Sequence, residues 1–249
     1  MNKTISIHSY KGGTGKTTIS ANLAYAFAKK GINVCIIDLD FKAPSLHTIF
    51  NIPAHHKHVE FVNDVLNQTC EIGDIIHDIS HRFATEGKLY VGFSNPQSNA
   101  LVQMAAKGKK WQALALKQLL NCRKHLYEMG VELILLDTTP GVEYSSINAI
   151  AAANYTIIVL KPDRTGIEGS TEIIRNVYKE LNMDGGLIIN QCVDDKDGEM
   201  DFSKIGLPLL EHIRCNCDIS CTTELVSYTR PDHDFSIAIE RIATMIINQ

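Results

Sequence analysis

Aromatic residues are scarce in this 249-residue chain, at 7% with a single tryptophan, and neither sign of charge predominates. The 24 lysines and arginines against 28 aspartates and glutamates leave a formal net charge of −4, which excludes the strongly basic field that sequence-independent nucleic-acid binding needs. Any DNA contact would require a local patch. No apolar run approaches bilayer-spanning length, and Met1, Asn2, Lys3 and Thr4 lead straight into a short apolar strand instead of a secretory core. The cytoplasm is the expected compartment. Seven cysteines, an odd number unevenly spread, form no disulfide framework and are expected as thiols or ligands. No internal repeat, low-complexity tract or linker divides the chain, so one domain over residues 1–249 is expected.

What is present is a repeating order of apolar strand, turn and helix, the mark of a doubly wound α/β fold with a mainly parallel sheet and helices on both faces. Short Ile/Val/Leu-rich runs predict strands at Thr4–His8, Asn33–Asp38, Lys88–Phe93, Glu132–Asp137, Tyr155–Leu160, Leu187–Gln191 and Pro208–Ile213. Helical periodicity covers Thr17–Lys29, Trp111–Met129, Thr165–Leu181 and Phe235–Asn248. Gly31, Gly130 and Gly185 each fall between a helical pattern and a strand, where a C-cap requires positive φ. In the last helix, Ile237, Ile239, Ile242, Ala243, Ile246 and Ile247 are expected to pack on the sheet.

Between the first strand and the first helix lies the run Tyr10, Lys11, Gly12, Gly13, Thr14, Gly15, Lys16, Thr17, Thr18. Tyr10 takes the first-glycine position of the GxxxxGK[ST] pattern, but the physical parts of a phosphate loop remain. Glycines let successive N–H groups point inward, and the helix N-terminus adds its positive dipole end. Gly12 to Thr18 are thus expected to bind a nucleotide, with Lys16 on the β- and γ-phosphates and the Thr17 hydroxyl on Mg²⁺. Asp38 and Asp40 end the second strand, and Asp137 ends the strand Leu133–Leu136 before Thr138, Thr139, Pro140 and Gly141. Ligands bind at the carboxyl ends of parallel strands, which makes these acids candidates for a Mg²⁺ site and Gly141 a candidate N–H donor to a γ-phosphate. Two acids at a strand end also suit a solvated turn.

Lys11 has no task in an ordinary phosphate loop. The run KGGTGKTT resembles the deviant Walker A ATPases, the family that includes MinD, ParA, the arsenite pump ATPases and the Mrp iron–sulfur carriers, and the resemblance extends over nearly the whole chain. It implies an ATP-dependent face-to-face dimer in which Lys11 contacts the partner's nucleotide, acting in trans like an arginine finger. It further implies catalytic roles for Lys11, Lys16 and Asp40, with Asp40 orienting the attacking water; Mg²⁺ held at Thr17, Asp38 and Asp137, partly through water; and Asn190 on the adenine. Arg214 stands where relatives often carry proline, a departure that bears on the base contacts.

The engine leaves the load open. The segments 137–143 and 157–165 resemble MinD and ParA most, which implies a positioning or partitioning ATPase with a protein partner. A membrane anchor is disfavoured, because the last helix pairs Arg241, its only basic residue, with Glu240. Lys107, Lys109, Lys110, Lys117, Arg123 and Lys124, with Trp111 among them, form a basic cluster that suits DNA, an acidic protein or merely solvent. Cys215, Cys217 and Cys221 suit a metal or iron–sulfur carrier, with His55, His56 and His58 as further ligands, or simple burial. A small-molecule kinase would have no use for Lys11, and a nitrogenase-type reductase would need more thiols near Asp137 than Cys122.

Overall fold

The computed structural model describes residues 2–52, 60–193, 201–220 and 222–249. Eight strands form one sheet: β1 Lys3–His8, β2 Val34–Leu39, β3 Ile76–Asp78, β4 Leu89–Gly92, β5 Leu133–Thr138, β6 Tyr155–Leu160, β7 Asp184–Cys192 and β8 Leu209–Arg214, in the order β3-β4-β2-β5-β1-β6-β7-β8. All neighbours are parallel except the edge pair β3 and β4. The central strands are buried on both faces, which is why they read as continuous apolar runs.

Alternate residues feed opposite layers. Ile5, Ile7, Val34, Ile36, Leu133 and Leu135 pack under the helices Lys16–Lys29 and Asp234–Ile247. Cys35, Ile37, Ile134 and Leu136 pack under Lys109–Glu128 and Tyr144–Ala152. Ile158, Leu160, Leu187 and Ile189 meet the helix Arg164–Ile173 and its continuation. On one side of β1 the strands β6, β7 and β8 follow in chain order, whereas on the other β5 lies between β1 and β2, so the carboxyl ends of β1, β2 and β5 are neighbours on one edge of the sheet.

Three sequence expectations are corrected. Gly185 is no C-cap: it lies within β7, where a Cβ would come 2.6 Å from the Thr156 carbonyl oxygen of β6, and Asn182 takes the left-handed conformation at φ 50. Gly31 and Gly130 do adopt positive φ. Ile237 faces solvent at 42% exposure, while Ile239, Ile242, Ala243 and Ile246 are fully buried. The run expected as one helix to Leu181 changes to a π-turn at Ile174–Tyr178. The antiparallel edge β3 and the helix Tyr144–Ala152 lacked a pattern distinct enough to read.

Candidate functional site

The loop between β1 and the Lys16–Lys29 helix turns twice through left-handed backbone, at Gly13 (φ 72) and Gly15 (φ 89). Gly15 is doubly constrained, because a Cβ there would also stand 2.4 Å from Asn190 Nδ2. It ends the loop one residue before the helix, so the helix's first amide groups face the crevice.

Lys16 is 6% exposed. Burial pulls its ammonium pKa down, opposed by the nearby Asp137 and Asp40 carboxylates. Asp38 and Asp137 are register partners on adjacent strands, which sets two fully buried carboxyls side by side. Burial raises the pKa of both, and their mutual repulsion adds to this for Asp38; at Asp137 Lys16, Thr17 and Ser20 oppose it. The Ser20 hydroxyl lies 2.9 Å from Asp137 Oδ1 and equally near the Lys16 carbonyl. Asp38 Oδ2 and Asp137 Oδ2 have no hydrogen-bond partner among the described residues. Two buried, orphaned carboxylate oxygens beside a threonine hydroxyl are the donor set a hard cation takes, so these residues fit Mg²⁺.

Asp40 is held in place. Its N–H donates to Asp38 Oδ1 (2.9 Å), and its own Oδ1 accepts from the Lys42 and Ala43 N–H groups (3.2 and 3.1 Å). Lys42 in turn pairs with Glu143, joining the loops after β2 and β5. Gly141 donates its N–H to the Ser9 carbonyl at 2.8 Å, so the group expected to face a phosphate is bonded to the start of the phosphate loop.

His8 and Asp163 carried no sequence signal. His8, the last residue of β1, is buried, and burial together with Lys16 pushes its pKa down to about 3. Thr138 Oγ1 donates to the Ile7 carbonyl (2.8 Å), so it accepts from His8 Nδ1 (3.2 Å), fixing a neutral ring with a bare Nε2. Asp163 caps the helix Arg164–Ile173 through the Gly166 N–H (2.7 Å) and accepts from Lys11 Nζ at 2.8 Å. Burial alone would raise the Asp163 carboxyl; the Lys11 and Gly166 bonds outweigh it and hold it below the ordinary range. The Lys11 and Asp163 side chains are 38% and 41% exposed.

At the carboxyl end of β7, Asn190 Nδ2 donates to the Thr14 carbonyl at 2.8 Å. One amide proton thus ties the strand to the loop and the second remains for a ligand. The cleft beside it, lined by Gly15, Thr18, Asn190, Gln191, Arg214 and Phe235 among others, holds about 40 Å³. Ligand pockets take roughly 300 Å³ or more, so a purine requires this cleft to widen.

The remaining candidates do not assemble. Among the described residues no group of three or more His, Cys, Asp or Glu side chains is arranged to hold a metal. Cys215 and Cys217 are exposed thiols, whereas His55, His56, His58 and Cys221 lie outside the described residues. The carrier reading is not supported. The basic cluster is divided: Lys107 bonds Asn67 Oδ1, Arg123 bonds the Ala152 carbonyl and Lys124 pairs with Glu128, leaving exposed Lys109, Lys110 and Lys117. No described helix is long and apolar enough to cross a membrane.

Comparison with known proteins gives one family match, to an AAA domain over residues 2–184. An uncharacterized ATP-binding protein of Methanocaldococcus jannaschii is 30% identical over 253 residues, covering 96% of this chain and 86% of that protein. The septum site-determining protein MinD of Bacillus subtilis is 26% identical over 209 residues, covering 82% and 72%. Among solved structures, septum site-determining MinD of Pyrococcus horikoshii complexed with Mg-ADP superposes with a TM-score of 0.79 at 22% identity, covering 99% and 96%.

Proposed function

Because the chain belongs to the MinD/ParA family of P-loop ATPases within the matched AAA-domain family, we propose that it binds MgATP, hydrolyses it slowly, and uses the cycle to switch a face-to-face homodimer that controls binding of a protein partner in a positioning or partitioning role. The observation that carries this reading is the convergence of Lys16, Asp38, Asp40 and Asp137 on the mouth of the Gly12–Gly15 loop. The P. horikoshii relative was solved with Mg-ADP, in keeping with such a cycle.

In this reading the loop N–H groups and Lys16 hold the triphosphate, and Asn190 turns its second amide proton to the base. Thr17, Asp38 and Asp137 would hold the nucleotide's Mg²⁺, which supplies charge neutralisation at the phosphates. Asp40, fixed by three backbone bonds, orients water. The reaction needs little proton transfer, so positioning and electrostatics dominate. Gly141 exchanges the Ser9 carbonyl for the γ-phosphate, which makes the turn after β5 sensitive to hydrolysis.

Lys11 supplies the second charge in trans. Its pair with Asp163 is half exposed, a class of contact worth about 0–1 kcal/mol, so a partner's phosphates can displace it at small cost. Val142 and Tyr144 leave 53% and 48% of their surfaces exposed, apolar cover suited to a second copy.

Lys16→Ala tests the reading. Calorimetric titration with MgATP should show affinity reduced by at least about a hundredfold, the loss of a charge-assisted phosphate contact in a buried site. Unchanged affinity would remove the phosphate-loop assignment and everything built on it.

A further inference from the structure

Tyr10 stands where the phosphate-loop pattern has its first glycine, and its ring lies on the backbone of the Arg164–Ile173 helix at Gly169. A Cβ on Gly169 would come within 2.2 Å of Tyr10 Cδ1 and 2.3 Å of Cε1. Gly169 has no left-handed φ, so what the position requires of glycine is room for that ring. The Tyr10 carbonyl oxygen, for its part, sits 3.7 Å from the Cβ position of Gly141. Its neighbours are engaged as well, Ser9 with the Gly141 N–H and Lys11 with Asp163. Residues 9–11 therefore join the phosphate loop, the turn after β5 and the helix that begins at Arg164. Of these contacts the Lys11 ion pair is half exposed and weak, whereas the ring stands so close over Gly169 that no Cβ fits between them.

We propose that Tyr10 is a positioning residue: seated in the Gly169 notch, it keeps the start of the loop fixed while the Lys11 side chain alone changes partners, from Asp163 to the phosphates bound by a second copy. The proposal rests on the ATPase reading above. The notch is formed by Gly169, outside the nucleotide-binding run, so disturbing it lowers turnover and spares ground-state binding.

Gly169→Ala puts a methyl group where the ring sits, and Tyr10→Gly removes the ring. The kcat for ATP and the Kd for MgATP are measured for the wild type, both single variants and the double variant. Gly169→Ala should lower kcat by about tenfold or more, since displacements near 1 Å cost up to about a hundredfold, with Kd within about twofold. In the Tyr10→Gly background the same substitution should have no further effect, because the group it clashes with is gone. Equal kcat in wild type and Gly169→Ala, or the same loss in both backgrounds, overturns the proposal. Should Gly169→Ala fail to fold, Tyr10→Phe against Tyr10→Leu carries the test: Phe fills the notch and must retain a higher kcat than Leu, and equal values overturn the proposal. A wild type that neither binds nor hydrolyses ATP overturns the ATPase reading itself, an outcome distinct from all of these.

Discussion

Asp38→Asn should make the nucleotide-free protein more stable and the enzyme inactive. Asp38 and Asp137 are adjacent and buried; burial raises the pKa of both, and the Asp137 charge adds to this at Asp38, so at neutral pH the fold contains two carboxyls that both resist ionising. An asparagine keeps the Oδ1 that accepts the Asp40 N–H and removes one charge. A gain of about 2 kcal/mol is the expected scale for relieving a buried like-charge contact, which in a chain of this length raises Tm by roughly 4–8 °C. The pH dependence follows from linkage. A carboxyl with a raised folded-state pKa contributes its full stability below the ordinary carboxylate range and loses it as pH rises through the folded value, which for Asp137 lies near about 6. The wild type should therefore lose stability between about pH 4 and pH 7 through this pair, and Asp38→Asn should flatten that fall, with its advantage present at pH 8 and absent at pH 4. Melting curves across pH decide it; a variant less stable than wild type at pH 8 would contradict a destabilising like-charge pair at Asp38 and Asp137. In the proposed reading the same substitution should also abolish Mg²⁺-dependent turnover, the functional cost of relieving the site.

Gly15→Ala should fail more completely than any other single loop substitution. Its φ of 89 costs an L-residue about 1–2 kcal/mol, and the added methyl meets Asn190 Nδ2 at 2.4 Å. The loop cannot retreat without turning the helix-start amides away from the phosphates, and Asn190 cannot retreat without releasing the Thr14 carbonyl. Both groups proposed to hold the nucleotide are disturbed, so MgATP affinity should drop by at least about a hundredfold, close to 3 kcal/mol. Asn190→Ala added to Gly15→Ala should recover only part, since it relieves the clash and leaves the backbone strain. Full recovery would place the whole effect on the side-chain contact.

Local rules made the strands, the phosphate loop and the acids at strand ends legible. Glycine spacing, a lysine followed by threonines at a helix start, and apolar runs closing on aspartate are each written within a few consecutive residues, and the structure brings Lys16, Thr17, Asp38, Asp40 and Asp137 to one crevice as those rules require. The partners that tune them were not legible, because they depend on register across the sheet. Asp137 meets Ser20, Lys11 meets Asp163 and His8 meets Thr138, pairs more than a hundred residues apart. Gly185 misled for the same reason: its neighbourhood to Thr156 across the β6–β7 pair, and not its position after a helix, determines why it is glycine. The spacing of Cys215 and Cys217 suited ligands or burial; both are exposed, and among the described residues they converge with no third metal-ligating group.

The direct test of a lysine supplied across a dimer is mixing. Lys11→Ala protein lacks the charge it would donate but keeps an intact Asp40; Asp40→Ala protein lacks the carboxylate proposed to orient water but keeps Lys11. Each alone should be nearly inactive. In an equal mixture half of the dimers contain one of each, and one of their two sites then has both groups, so ATP hydrolysis should return to about a quarter of the wild-type rate. A mixture no faster than the sum of its components would mean that Lys11 serves its own subunit, or that no dimer forms.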